Sequence, residues 1–138
     1  HVNYWGDVHM KNFGPVRGSR VSPAKDALDA GLVYNFHTDT PVVKPDMLHA
    51  VWTAVNRVTR SGRVIGEDQR ISAYDALKGI TINAAYAYFE EDSKGSIKEG
   101  KRADLVVLDA NPLKVDPMAI KDIKILETIK DGVTVFTA

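Results

Sequence analysis

The sequence predicts an α/β fold with a helical part followed by a small β part. A short helix is expected to begin with Ser22 as N-cap and Pro23 in its first turn, and to stop at Gly31. Residues 32–37, rich in β-forming side chains, follow at once, and a helix, a glycine and a strand in succession are typical of α/β architectures. After Gly95 the pattern changes to short strands, which indicates a second substructure.

The segment before the first helix is predicted to be a long structured loop. Gly6, Gly14, Pro15 and Gly18 recur within residues 1–22, and glycine and proline are the strongest local breakers of regular structure. We therefore expect neither a helix nor a strand in this segment.

Three further helices are predicted in the first part. Asp46 opens one, whose apolar residues recur at helical spacing until Ser61. Ser72 and Asp75 resemble a capping box at the start of the next. A third helical run covers residues 83–89. This succession of helices is what an α/β part requires before the β part begins.

The second part is predicted to be a small sheet. Its strands are expected at residues 96–97, 103–108, 123–130 and 133–136, with one helical turn at 118–120. The strand at 103–108 reads as a buried one because its apolar residues are nearly continuous. Asp131 and Gly132 are a strong signal for a two-residue hairpin between the last two strands.

Composition excludes several classes of protein. The chain has 138 residues, which suits one average domain or a piece of a larger protein, and it does not begin with Met. Lys and Arg total 18, as do Asp and Glu, so no general attraction to nucleic acid or an anionic membrane is expected. The absence of cysteine excludes disulfides and thiolate metal sites and favours a cytoplasmic location.

Asp39 is the residue that we single out for chemistry. It lies just past the carboxyl end of the predicted strand 32–37, where functional groups gather in α/β architectures. A carboxylate there could bind a metal or take a proton from metal-bound water. The alternative, which spacing alone favours, is that Asp39 caps a turn before Pro41.

Two histidines are weaker candidates. His37 lies on the same face of the predicted strand as Asp39, and the two side chains could chelate a metal. Catalytic zinc usually takes three protein ligands, so a packing or hydrogen-bonding role for His37 is favoured. His49 lies within a predicted helix and is interpreted as structural.

A polar and aromatic cluster near the start of the chain is the other candidate. Tyr4, Trp5, Asp7 and His9 could border a substrate pocket, because loops often carry binding residues. An equally good interpretation is a structured loop that buries Trp5. The residues alone do not decide between the two.

The sequence resembles the C-terminal part of the amidohydrolase superfamily. Residues 94–109 are similar to the signature at which that chain leaves a (β/α)8 barrel and enters a small β-sandwich, and residues 129–136 are similar to the last hairpin of the sandwich. Residues 4–7, 37–42 and 50–57 look like the amidohydrolase family 3 group. The resemblance covers almost the whole chain in the expected order.

The resemblance implies a composite fold. Residues 1–92 would be the C-terminal end of a (β/α)8 barrel, with its last strand at 32–37 and the helices around it, and residues 93–138 would be part of a small β-sandwich. The other metal ligands that the family carries on earlier barrel strands have no counterpart in the sequence. We therefore expect the chain to be the C-terminal part of a longer enzyme.

The resemblance also implies a function. It is that of a metal-dependent hydrolase acting on carbon–nitrogen bonds of small non-peptide amides or amidines through metal-activated water. Asp39 would be both a metal ligand and the proton shuttle. A divalent metal, with zinc expected first, would bind the full-length enzyme and not stably this chain, which we expect to be inactive alone and to self-associate or contact the missing part. The alternatives are a free-standing scaffold or binding domain without catalytic activity, and an inactive homologue.

Overall fold

The computed structural model describes all 138 residues as helices followed by one sheet. The helices are α1 (Val2–Gly18), α2 (Ala24–Asp29), α3 (Met47–Asn56), α4 (Ala73–Ile80) and α5 (Ile82–Ala87), with 3-10 helices at Glu67–Gln69 and Pro117–Asp122. The strands are β1 (Leu105–Leu108), β2 (Ile125–Lys130) and β3 (Val133–Thr137). This order confirms the predicted mixture of helix and sheet. No helix is both long and apolar enough to cross a membrane.

Helix α1 occupies the segment that was predicted to be a loop, so that prediction was wrong. Gly14, with φ 74° and ψ 172°, and Pro15 mark one kink near its end. Gly6 lies inside the helix for a packing reason: a Cβ there would come within 2.7 Å of the Thr59 side chain. Gly6 was interpreted as a helix breaker, whereas it is a glycine that allows a close contact between α1 and Thr59.

Residues 32–37 follow α2 as predicted but do not form a strand. Gly31 has φ 70°, as expected for the glycine that ends α2. The predicted N-cap Ser22 caps nothing; Pro23 holds that position. A strand requires a hydrogen-bonded neighbour, and the only sheet consists of β1, β2 and β3. The segment is anchored instead by the Asn83 side chain, which donates to the Tyr34 carbonyl at 2.9 Å.

The predicted starts of α3 and α4 are confirmed by their caps. The Asp46 carboxylate accepts from the His49 N–H at 2.9 Å, and the Ser72 hydroxyl accepts from the Asp75 N–H at 3.1 Å. Both interactions satisfy backbone donors that the first turn of a helix leaves free. Helix α5 likewise falls within one or two residues of its prediction.

The end of α3 was predicted too late. The helix stops at Asn56, because Arg57 takes a left-handed conformation with φ 54°. The chain then folds back, so that Val58 and Val64 form an isolated bridge. The apolar spacing continues to Val58, but Val58 belongs to the loop that folds back after the helix and pairs with Val64.

The core lies around α3 and is completed by a residue from the second half of the chain. Its buried members are Val51, Trp52, Ala54, Ile71, Ala76 and Ile120. Ile120 comes from the 3-10 helix Pro117–Asp122, which confirms the predicted helical turn and brings it onto α3. The Trp52 indole N–H donates to the Met118 carbonyl at 3.0 Å, and the Asn56 side chain donates to the Pro117 carbonyl at 2.9 Å.

The sheet is a three-stranded antiparallel meander in the order β1-β2-β3. Asp131 and Gly132 both have positive φ, which confirms the predicted hairpin. No strand forms at residues 96–97. The prediction that β1 is buried was also wrong, since Val106 and Val107 are exposed. A continuous apolar run indicates that a strand can be buried on both faces. The strand is exposed here because no second layer of this chain covers the sheet.

Candidate functional site

A cavity of about 430 Å³ opens between α1, α2, residues 34–44 and α3. Four of the predicted site residues border it: Tyr4, Trp5, His37 and Asp39. They come from two parts of the chain more than 30 residues apart, and the fold brings them to one place. The cavity also includes apolar and aromatic side chains of the same segments, as small-molecule sites usually do.

Asp39 borders the cavity with a free carboxylate. Its φ of 55° is left-handed, a conformation that Asp tolerates better than most residues and that is often found at functional sites. Its carbonyl accepts from the Val42 N–H at 2.7 Å, but its carboxylate hydrogen-bonds no protein group. The turn after Asp39 is therefore closed by the backbone, and the side chain is left available to a ligand.

His37 borders the same cavity and is exposed, with no protein partner for its ring. His37 and Asp39 supply two candidate metal donors. No group of three or more His, Cys, Asp or Glu side chains in the chain is placed to hold a metal ion. Because catalytic zinc takes three protein ligands, a complete metal site does not fit these 138 residues alone.

Asp7 and His9 lie away from the cavity. The Asp7 carboxylate accepts from the Thr59 hydroxyl at 2.9 Å, the Ser61 hydroxyl at 2.7 Å and the Ser61 N–H at 3.2 Å. These hydrogen bonds, the one from the Ser61 side chain foremost, hold the pKa of Asp7 below its ordinary value. His9 stacks on Phe13 at 5.4 Å between ring centroids. Asp7 thus ties α1 to the loop after α3, and the structure does not bring it or His9 together with Asp39.

Arg57 supports the cavity in a way that the sequence did not reveal. It is 1% exposed, and burial lowers the pKa of its guanidinium. Its side chain donates to four backbone carbonyls, those of Ser19, Val21, Ser22 and Ile65. The guanidinium thereby fixes the chain that enters α2, one wall of the cavity. Nothing local to Arg57 signals these partners, since three of them lie more than 30 residues away.

His49 also borders the cavity, although the sequence was interpreted as giving it a purely structural role. Its ring lies between those of Tyr4 and Trp52, with centroids 5.5 Å from each. Burial is the main cause that lowers the pKa of the imidazole. His49 lies in the first turn of α3, next to Tyr4 of α1. Its place at the cavity could not be inferred without knowing where α1 lies.

Comparison with known proteins gives consistent results. The sequence matches the amidohydrolase family over residues 2–136. N-substituted formamide deformylase from Arthrobacter pascens is 34% identical over 134 residues, which cover 94% of this chain and 24% of that protein. Imidazolonepropionase from Treponema denticola is 36% identical over 92 residues, covering 64% of this chain and 20% of that protein.

A solved structure supports the same relationship. The crystal structure of an amidohydrolase from Thermotoga maritima superimposes with a TM-score of 0.63 at 27% identity, over 83% of this chain and 26% of that one. The chain thus spans about a quarter of the length of the proteins that it matches. Because the family match extends over nearly every residue, including all five segments that suggested the resemblance, the chain belongs to the amidohydrolase family.

Proposed function

We propose that this chain is the C-terminal part of a metal-dependent hydrolase that cleaves carbon–nitrogen bonds in small non-peptide amides or amidines. Membership of the amidohydrolase family supports the reaction class, and that family generally depends on metal. One relative is named for removing the formyl group of N-substituted formamides, which breaks such a bond. The alignment covers 24% of that relative, so most of such an enzyme would lie outside these residues.

The observation that carries the proposal is the free carboxylate of Asp39 at the cavity. A general base must be able to reach a water or substrate, and a carboxylate occupied by its own backbone could not. Asp39 accepts the proton of the attacking water and delivers it to the leaving nitrogen. His37, Tyr4 and Trp5, which border the same cavity, would contact the substrate.

The proposed metal needs more ligands than this chain offers. Asp39 would supply one, and the others would come from the remainder of the enzyme, because no group of three donors exists here. Zinc is the expected ion, and this chain alone would neither retain it nor catalyse the reaction. The donor set therefore supports the view of an incomplete site.

The proposed place of the chain in its enzyme follows from the same reasoning. Residues 32–37 would become the last strand of a (β/α)8 barrel once a neighbouring strand is present. Residues 1–92 would complete that barrel and residues 93–138 a small sandwich. Exposed apolar side chains support contact with the remaining enzyme or with a second copy; on the sheet they include Val106, Val107, Val133, Val135 and Phe136.

The test is a substrate screen with the full-length gene product. We expect it to release amine from N-phenylformamide or from another member of a panel of amides and amidines. Chelation should abolish turnover and zinc should restore it, while the 138-residue chain should be inactive. A folded, metal-loaded full-length protein that turns over no compound of the panel would refute the proposal. That result would favour a non-catalytic scaffold or an inactive homologue.

A further inference from the structure

Five side chains contact one another in succession, and we call them the aromatic column: Arg60, Tyr4, His49, Trp52 and Lys121. Of these, Tyr4 and His49 border the cavity. The Arg60 guanidinium carbon lies 4.4 Å from the Tyr4 ring centroid, and the Lys121 ammonium lies 4.7 Å from that of Trp52. Tyr4 meets His49 edge-on at 64°, and Trp52 stacks on His49 at 29°. Cations thus cover both ends of the column, and His49 is its centre.

The column fixes the orientation of His49. Trp52 is buried, and its indole N–H is held by the Met118 carbonyl at 3.0 Å. The backbone of His49 is held by the Asp46 cap at the start of α3. A ring that contacts two aromatic neighbours and is anchored at its backbone is pre-organised, so it can bind a ligand without losing much conformational freedom.

The ring nitrogens of His49 have no partner in the protein. All hydrogen bonds of His49 are made by its backbone, to Asp46 and Thr53. His49 borders the cavity, and neither of its ring nitrogens is fully shielded from solvent. A half-buried imidazole without a partner is a group that a ligand can satisfy.

The surroundings favour the neutral form of the imidazole. Desolvation by burial lowers the pKa of His49 most, and the charges of Lys121 and Arg60 act in the same direction, while Asp46 opposes them. The cations at both ends of the column therefore disfavour the imidazolium. A neutral imidazole presents one donor and one acceptor.

We infer that His49 is a substrate-binding residue, which hydrogen-bonds the amide or amidine group of the substrate in the cavity. This inference rests on the function proposed above and narrows its substrate class to compounds that carry a hydrogen-bond donor or acceptor at the scissile carbon–nitrogen group. An amide offers a carbonyl acceptor and, when its nitrogen carries a hydrogen, a donor, so that either tautomer of His49 finds a partner. A neutral ring supplies no charge with which to hold an anionic group.

The test measures binding without turnover. In a full-length protein that carries Asp39→Asn, the dissociation constant of N-phenylformamide is determined by calorimetry for His49, His49→Phe and His49→Gln. Phenylalanine keeps a ring in the column and removes both nitrogens, so binding should weaken about fivefold, the loss of one net hydrogen bond. Glutamine keeps a donor and an acceptor and should restore most of the affinity. Melting curves verify that both variants fold.

Two outcomes would overturn the inference. Equal affinity with phenylalanine and histidine would show that the nitrogens bind nothing. Equal weakening by phenylalanine and glutamine would show that His49 acts through its packing. Either result leaves the proposed hydrolase function intact, since that function is judged by turnover of the metal-loaded protein with Asp39 present.

Discussion

The helical region, α1 to α5 with the 3-10 helix Pro117–Asp122, and the sheet region, β1 to β3, differ most in what they bury. Val51, Ala76 and Ile120 are fully buried in the helical region, whereas every residue of β3 is exposed. The cavity is also bordered by the helical region alone. The region whose sequence best identifies the family is therefore not the region that holds the core or the candidate chemistry.

The two regions are also stabilised differently. In the sheet region, side-chain ion pairs join Lys130 to Asp104 and Arg102 to Asp131 on an exposed surface. Such pairs contribute about 0–1 kcal/mol each. In the helical region, buried side chains such as Arg57 and Trp52 hold distant segments together. Substitutions matched between the regions should therefore have unequal effects.

The largest difference is expected for two arginines. Arg57→Met leaves four backbone carbonyls without their donor and should lower the free energy of unfolding by about 3–5 kcal/mol. Arg102→Met removes only an exposed ion pair and should cost less than about 1 kcal/mol. Urea denaturation of the two variants measures both. Similar losses would show that the regions are not stabilised differently.

A smaller difference is expected for two apolar residues of the second half of the chain. Ile120→Ala empties a fully buried position in the helical core and should cost about 2–4 kcal/mol. Val135→Ala, in β3, changes a side chain that is 62% exposed and should cost less than about 0.5 kcal/mol in this chain. The same denaturation experiment compares them. If Val135→Ala proved as costly as Ile120→Ala, a layer would have to cover the sheet.

The smallest expected effect is on the loss of stability at acid pH. The pKa of Asp7 is lowered from its ordinary value of 3.8, so its contribution to stability is complete above that pH and is lost as the pH falls through the lower, folded-state pKa. Asp7→Asn should therefore reduce the fall in melting temperature between pH 6 and acid pH. Thermal scans across this range, with and without the substitution, measure it. An unchanged acid dependence would mean that the hydrogen bonds from Thr59 and Ser61 do not favour the ionised form.

The sequence predicted features that depend on neighbours along the chain. The caps at Asp46 and Ser72 and the hairpin at Asp131 and Gly132 act over two to four residues, and all three are present. The family resemblance was confirmed as well, because it depends on the residues themselves. The sequence predicted the pair Asp39 and His37 and the cluster with Tyr4 and Trp5 as two separate groups, and it did not show that one cavity joins them.

The features that were missed depend on partners far away in sequence. Gly6 looked like a helix breaker because its contact with Thr59 lies 53 positions away. Arg57 ends α3 while its guanidinium binds carbonyls near residue 20, which no local spacing shows. His49 was interpreted as structural since its neighbour Tyr4 lies on another helix. In each case a long-range contact overrides the local pattern.

We propose that the chemistry resides at Asp39 in the helical region and not in the sheet region. The most direct test is the turnover of an amide by the full-length protein carrying Asp39→Asn, with Asp104→Asn, next to β1, as the matched change. We expect Asp39→Asn to lower kcat at least about 100-fold, the scale of general acid–base catalysis. Asp104→Asn, away from the cavity, should leave kcat within about twofold. Wild-type turnover by the Asp39→Asn enzyme would show that Asp39 is not the catalytic base.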